Sequence, residues 1–453
     1  MPRTDPSNSP VEVAGPVTPQ KLQVLWESLR TSFWFVPALM VAAAILLSWL
    51  AHLGDEWLSA WHLDRLPPAI YVSTADNARD VIATLLASMI TMTSLVFSIT
   101  MVVLTLAASQ FGPRLIRSFM SSPHTQYVLG TFVMTSVYCL LVLGVIGSRS
   151  VQQQQAFATV SVAILLALIS LVLLVLFLHF LARSIVSETV IERVGQELDK
   201  TLDSFAPLSG SNPVEAAPLP ADFDSAAAFF DFAKHGYIEA IEFERIVEAA
   251  VASDVLVRIM QAPGDYVAPG TLAIGVYPAS RCNDELTGLI RKAVLIGIVR
   301  TPHQDPEFSI RHLVEIAVRA LSPGINDPYT ATAVINRLSA ALVRITSLQL
   351  PTGEVKDKAG QTRVSVPATS YSSIFGATFN QIRQNAVGKP LVLIYLIDAI
   401  ARTANSVKTN EQRDALLDQL HAITGALNGN LVDLDKEAIM AKAEAAVKML
   451  QGR

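Results

Sequence analysis

The stretch that decides the fold is residues 81–113, VIATLLASMITMTSLVFSITMVVLTLAASQFGP, which contains no Asp, Glu, Lys, Arg or His. A helix rises about 1.5 Å per residue, so roughly 20 residues cross a hydrocarbon core of about 30 Å, and this run is a membrane span with length to spare. Within it Thr84, Ser88, Thr91, Ser94, Ser98, Thr105 and Ser109 recur at spacings of three, four and seven. On a helix turning about 100° per residue they share an arc of roughly 120°. Two readings of the arc stay open. Ser and Thr solvate an ion without a fixed charge, which suits a wall facing a water-filled path or the axis of an oligomer. Small and hydroxyl residues also let membrane helices approach closely, which suits plain packing. Thr93 and Thr100 lie off the arc.

Working outward, three more charge-free runs predict a four-helix transmembrane domain over 21–183, with spans at about 33–53, 81–107, 127–147 and 156–180. Composition agrees: 51% of residues are apolar and 16% charged, and mean hydropathy is +0.42. The net charge of −5 and the lack of any long basic block exclude an electrostatic case for nucleic acid. With only Cys139 and Cys282, neither a disulfide framework nor a cysteine zinc site is available. Residues 1–20, with five prolines and no apolar h-region, are expected to be a disordered, retained N-terminus.

Basic residues set the expected orientation. Lys21, Arg30, Arg114, Arg117, Arg183 and Arg193 fall on one side, against Arg65, Arg79 and Arg149 on the other, which puts both termini in the cytoplasm. Trp26 and Trp34 would mark the inner interface of the first span, and Trp49, Trp57 and Trp61 the outer one. Trp57, Leu58 and Trp61 also suggest a short helix lying on the outer leaflet between Asp55 and Asp80. No ionisable side chain sits deep in a span, which argues against a proton-coupled pump or a voltage sensor, and His179 reads as interfacial.

Beyond Arg183 the pattern is that of a soluble α+β domain. A connecting helix through Val190, Val194 and Leu198, then a Pro/Gly linker, occupy 184–220, a β-rich module 221–283, and a mostly helical module 284–453. Gln261–Val276 resembles the return hairpin of biotinyl/lipoyl-like half-barrels, but the lysine those carriers modify has no counterpart, so no cofactor is expected. Further elements are predicted as helices at 284–296 and 308–321, a hairpin around Lys358–Gln361, and helices near 371–387, 390–404, 408–425 and 433–450. Arg311, Glu315 and Arg319 at i, i+4, i+8 form an ion-pair row or, less simply, an anion site.

Between two of these helices runs Ser322-Pro323-Gly324-Ile325-Asn326-Asp327-Pro328-Tyr329. Local physics accounts for it: Pro323 and Gly324 stop one helix, Asp327 accepts amide hydrogens of the next, and Pro328 suits a first turn. Alternatively Asn326, Asp327 and Tyr329 bind a cytoplasmic partner or small ligand at a helix N-terminus. His303, Asp305, His312 and Glu315 have no recognised metal-ligand spacing, so no metal is expected. Phosphate-loop, dinucleotide and nucleophile-elbow motifs are absent, and no enzyme is expected.

Two stretches carry a family resemblance: Ser109-Gln110-Phe111-Gly112-Pro113-Arg114 after the second span, and Arg319-Ala320-Leu321-Ser322-Pro323-Gly324-Ile325-Asn326-Asp327-Pro328. In the same order relative to four spans, they resemble the bacterial predicted membrane proteins catalogued as domain of unknown function 2254. The resemblance implies a multi-pass protein of the bacterial inner membrane and supplies no activity. The residues themselves lead to a homo-oligomeric channel or conduit gated by its cytoplasmic domain, or else to a membrane-anchored sensor or scaffold.

Overall fold

Each charge-free run becomes a helix because a backbone surrounded by lipid must satisfy its own hydrogen bonds. In the computed structural model these are α1 (Phe35–Ala60), α2 (Ala75–Phe111), α3 (Pro123–Ser148) and α4 (Phe157–Ser184). Residues 34–60, 75–111, 123–148, 157–184, 186–205, 219–302, 304–427 and 431–452 are described. They divide into two units, Met1–Ile185 and Val186–Arg453. The expected N-terminal segment, and most of the 206–220 linker, lie outside the described residues.

In the first unit α3 and α4 each touch the other three helices, α3 the more extensively. Gly130 makes its approach to α1 possible, since a Cβ there would run into the Met40 sulfur and press on the Pro37 backbone. Two apolar clusters hold the four helices together. Ile82, Tyr138, Cys139, Val142 and Ala163 form one, and Met89, Val96, Leu129, Phe132, Phe177 and Leu181 the other. One expectation needs correcting. The surface helix read from Trp57, Leu58 and Trp61 is not a separate element, because α1 runs unbroken to Ala60; Trp61 lies outside the described residues.

The second unit is α+β. It opens with α5 (Ser187–Phe205), whose Val190, Ile191, Val194, Leu198 and Leu202 are buried. After the short α6 (Phe223–Ala226) come β1 (Ala228–Phe230), β2 (Gly236–Ile241), α7 (Phe243–Ser253), β3 (Leu256–Ile259), β4 (Tyr266–Val267) and β5 (Ile274–Tyr277). Then follow α8 (Asp284–Ala293), β6 (Val294–Gly297), α9 (Pro306–Ala320), α10 (Pro328–Ser347) and the hairpin β7 (Glu354–Lys356) and β8 (Thr362–Ser365). Four helices complete it: α11 (Tyr371–Asn385), α12 (Pro390–Ala404), α13 (Asn410–Gly425) and α14 (Asp433–Gln451).

The strands form two sheets, ordered β1-β5-β3-β8-β7 and β4-β2-β6. The return hairpin expected of a biotinyl/lipoyl-like half-barrel is not formed: β4 pairs with β2, while β5 pairs with β1 and β3, so the Pro269-Gly270 turn links two sheets. Nor does the β structure stop at residue 283. β8 joins β3 in parallel through Val257 and Val364, and β6 pairs with β2. The helix predicted over 284–296 therefore ends at Ala293, because the aliphatic run Val294–Ile296 gains a ladder on β2.

Candidate functional site

On α2 the hydroxyl arc points one way and the packed face the other. Ala78, Ile82, Met89, Val96, Thr100 and Ala107 are buried, and at 100° per residue they centre about 165° from the arc. Thr84, Ser88, Thr91, Ser94, Ser98, Thr105 and Ser109 are all exposed on the surface of the first unit. Thr93 and Thr100, which sequence spacing set apart, face inward.

The threonines fold back on their own helix: Thr84 donates to the carbonyl of Asp80 at 2.7 Å, Thr91 to Ala87 at 2.9 Å and Thr105 to Met101 at 2.9 Å. Ser109 reaches Leu106 at 2.8 Å. Ser88, Ser94 and Ser98 show no side-chain partner among the described residues. The apolar window of α2, Asn77–Ser109, has 33 residues against 21, 22 and 26 in the other spans. Its length of about 50 Å exceeds the hydrocarbon thickness, so it tilts or extends beyond the bilayer.

Several polar groups elsewhere in this unit have partners inside it. Thr135 meets Ser170 at 3.1 Å, and Tyr138 donates to the carbonyl of Thr159 at 2.9 Å. Asp55, only 5% exposed, accepts from the backbone amides of Ala158 and Thr159 and from the Thr159 hydroxyl. A carboxylate from α1 thus caps the N-terminus of α4, where free amides and the helix dipole favour negative charge. Sequence reading missed this pairing. Its one signal is an acid just past the first apolar run, and nothing local names a partner a hundred residues away.

In the second unit the 322–329 run closes α9 and opens α10. Asn326 takes the left-handed region at φ 49°, and its amide reaches the Ser322 carbonyl at 2.8 Å. The Asp327 amide returns to Ala320 at 2.8 Å, while Lys389 donates to the carbonyl of Leu321. The Asp327 carboxylate accepts from the amides of Tyr329 and Thr330, each at 3.1 Å, and from the Thr330 hydroxyl at 2.6 Å. Burial opposes its charge, but these hydrogen bonds outweigh burial and hold the carboxyl below its ordinary range. Pro328 takes the first helical position. The crest is open: Pro323, Gly324, Ile325 and Asn326 are exposed, and Tyr329 is 76% exposed.

The other candidates are dispersed. Arg311 pairs back to Glu307 at 2.9 Å and Arg319 to Glu315 at 3.9 Å. Asp305 caps α9 through Phe308 and pairs with Arg300. Burial nonetheless pushes its carboxyl up from the ordinary value. His312 is buried, and His303 lies outside the described residues.

Four membrane-crossing helices joined to an α+β soluble region define the class, a multi-pass membrane protein. The chain belongs to the family described as "Predicted membrane protein (DUF2254)", whose profile matches residues 30–402. It is 32% identical over 394 residues to an uncharacterized protein of Mycobacterium bovis, covering 84% of this chain and 74% of that protein. The same identity and coverage hold for uncharacterized proteins of two Mycobacterium tuberculosis strains, H37Rv and CDC 1551. No solved structure matches.

Proposed function

We propose that copies of this chain assemble with their α2 hydroxyl faces turned to a common axis, making a hydrophilic conduit across the bacterial inner membrane that the cytoplasmic α+β unit gates. The observation that carries this reading is the direction of the arc: seven hydroxyls exposed on the membrane unit, opposite the face that packs. Among the described residues Ser88, Ser94 and Ser98 have no hydroxyl partner, and a hydroxyl facing hydrocarbon is costly. An oligomer axis supplies water or a neighbouring copy instead. Both termini lie in the cytoplasm in this reading, following the basic residues around the spans. Planar-bilayer recordings test it. Purified protein is expected to conduct, and Ser98→Leu or Thr91→Leu to lower that conductance strongly; a silent wild type in every oligomer ends the reading.

A second reading, a membrane-anchored sensor or scaffold, rests on the open crest at Ile325, Asn326 and Tyr329, where an aromatic ring stands largely in solvent. It expects thermal stabilisation of the wild type by a bound small molecule or partner, with loss of that shift in Tyr329→Ser. A shift that Tyr329→Ser leaves unchanged contradicts it.

A further inference from the structure

Cross-links between the helices of the second unit fix which ends lie together. Arg337 of α10 pairs with Glu192 at 3.3 Å and with Asp199, and Arg344 pairs with Asp203, so α5 and α10 run in the same direction. The Thr201 hydroxyl reaches the Pro302 carbonyl at 3.4 Å, which sets the last turns of α5 beside the entry to α9. Arg402 donates to Ser339 and Asn336, each at 2.9 Å, and Lys389 donates to the Leu321 carbonyl. α12 therefore starts beside the turn that opens α10. The Tyr371 hydroxyl donates to the Leu348 carbonyl at 2.7 Å and its amide to Glu411 at 3.4 Å, so α11 and α13 both begin at the opposite end and run back. α14 begins after the end of α13, with Lys442 on Asp398 of α12 at 2.6 Å.

One end of the helices thus gathers the α9–α10, α11–α12 and α13–α14 turns and the start of α5. That end is apolar. Ile325 and Tyr329 are exposed at the first turn, Val387 and Leu391 at the second, and Val432 and Leu434 at the third. Tyr329, Val432 and Leu434 are 76%, 69% and 75% exposed, so their side chains protrude. Val186, also exposed, opens the unit at the same end and follows Arg183, the last residue of the fourth apolar window, by three positions in sequence. Elsewhere on these helices the exposed large apolar side chains, among the described residues, are Val343, Met440 and Met449. Single apolar side chains of that kind are ordinary on a soluble surface.

We propose that this apolar end is a lipid-docking surface whose turn tips enter the interfacial zone of a bilayer. Side chains that protrude singly from three turns would each need a matching pocket in a protein partner. A fluid apolar interface takes them without one, and Tyr, with an apolar ring and a polar hydroxyl, is enriched in that zone. Amphipathic segments held in this way settle about 5–10 Å into the headgroup and acyl boundary. The inference is independent of the conduit, and it assigns the Tyr329 crest to lipid rather than to a soluble ligand.

Bimane fluorescence of the full chain in nanodiscs tests it. On a Cys282→Ser background that retains the buried Cys139, the label is attached at Tyr329→Cys, Val387→Cys or Leu434→Cys. Controls carry it at Met449→Cys, near the other end of α14, or at Ile298→Cys, where the native side chain is 85% exposed. The discs are phosphatidylethanolamine and phosphatidylglycerol, with or without a nitroxide on the acyl chain near the headgroup. The three turn labels are expected to emit at shorter wavelength and to be quenched by the nitroxide, and the controls to do neither. Collisional quenching requires near contact, so tethering of the unit to a disc does not produce it. Turn labels that stay as unquenched as the controls overturn the proposal. A shift to shorter wavelength without quenching also overturns it, and identifies a protein surface, such as a second copy, as the occupant. In Tyr329→Ser/Leu434→Ser the label at 387 is expected to lose most of its quenching; full quenching there contradicts docking through the three turns together.

Discussion

Spans two and three both carry hydroxyls and use them in opposite ways. On α3, Thr131 and Thr135 lie inside the unit, Thr135 meets Ser170 across the helix interface, and Tyr138 reaches α4. Those groups are glue within one chain, as expected where hydrocarbon offers no other partner. On α2 the arc turns outward, and its three midspan serines show no side-chain partner among the described residues. The contrast separates two roles that hydropathy alone does not distinguish. Thr135 and Tyr138 of α3 tie helices of one chain together, whereas Ser88, Ser94 and Ser98 of α2 lie on its exposed face.

That comparison can be broken at several points. The largest expected effect is at the α1–α3 crossing: Gly130→Leu puts a branched side chain where Met40 and Pro37 already touch. A loss of several kcal/mol, read as failure to yield a folded monodisperse protein in detergent, follows from overpacking of about 1–3 kcal/mol compounded by separation of the helices. Asp55→Ala comes next. It leaves two amides and the Thr159 hydroxyl without their acceptor, at about 1–3 kcal/mol by thermal or denaturant melting. If Asp55→Ala melts like wild type, the cap contributes nothing and the account of α4 fails.

Asp327→Ala removes the cap of α10 and is expected to cost about 1 kcal/mol. Its pH dependence has a definite sign. The folded carboxyl lies below its ordinary value, so its contribution is complete above about pH 4, the unfolded value, and disappears as pH falls through the folded one. The gap between wild type and variant should therefore close in acid. The smallest effect is Ser170→Ala, about 0.6 kcal/mol. It sharpens the comparison, because Ser94→Ala on the outward arc is expected to leave monomer stability unchanged.

Much of this was legible in the sequence, for reasons particular residues make plain. Charge-free runs reveal spans because nothing else tolerates them, and Pro328 after Asp327 announces a helix start through purely local chemistry. The hydroxyl arc follows from spacing alone. Its direction does not, since spacing groups residues on a face without saying what the face meets. The Asp55–Thr159 cap, the Arg337–Asp199 pair and the parallel Val257–Val364 pairing join residues over a hundred positions apart. Local pattern holds no trace of such partners. The helix predicted through residue 296 was shortened for the same reason, because β2 supplied a better partner for Val294–Ile296 than another turn of helix.

The most direct test of the outward arc is disulfide crosslinking of the full chain in native membranes. Thr91→Cys, Ser94→Cys and Ser98→Cys would be compared with Val172→Cys, an exposed position on α4. Cys282→Ser would form the background and Cys139, which is buried, would be retained. The account predicts covalent oligomers from the arc positions and none from Val172→Cys. Equal or absent crosslinking at all four would contradict it.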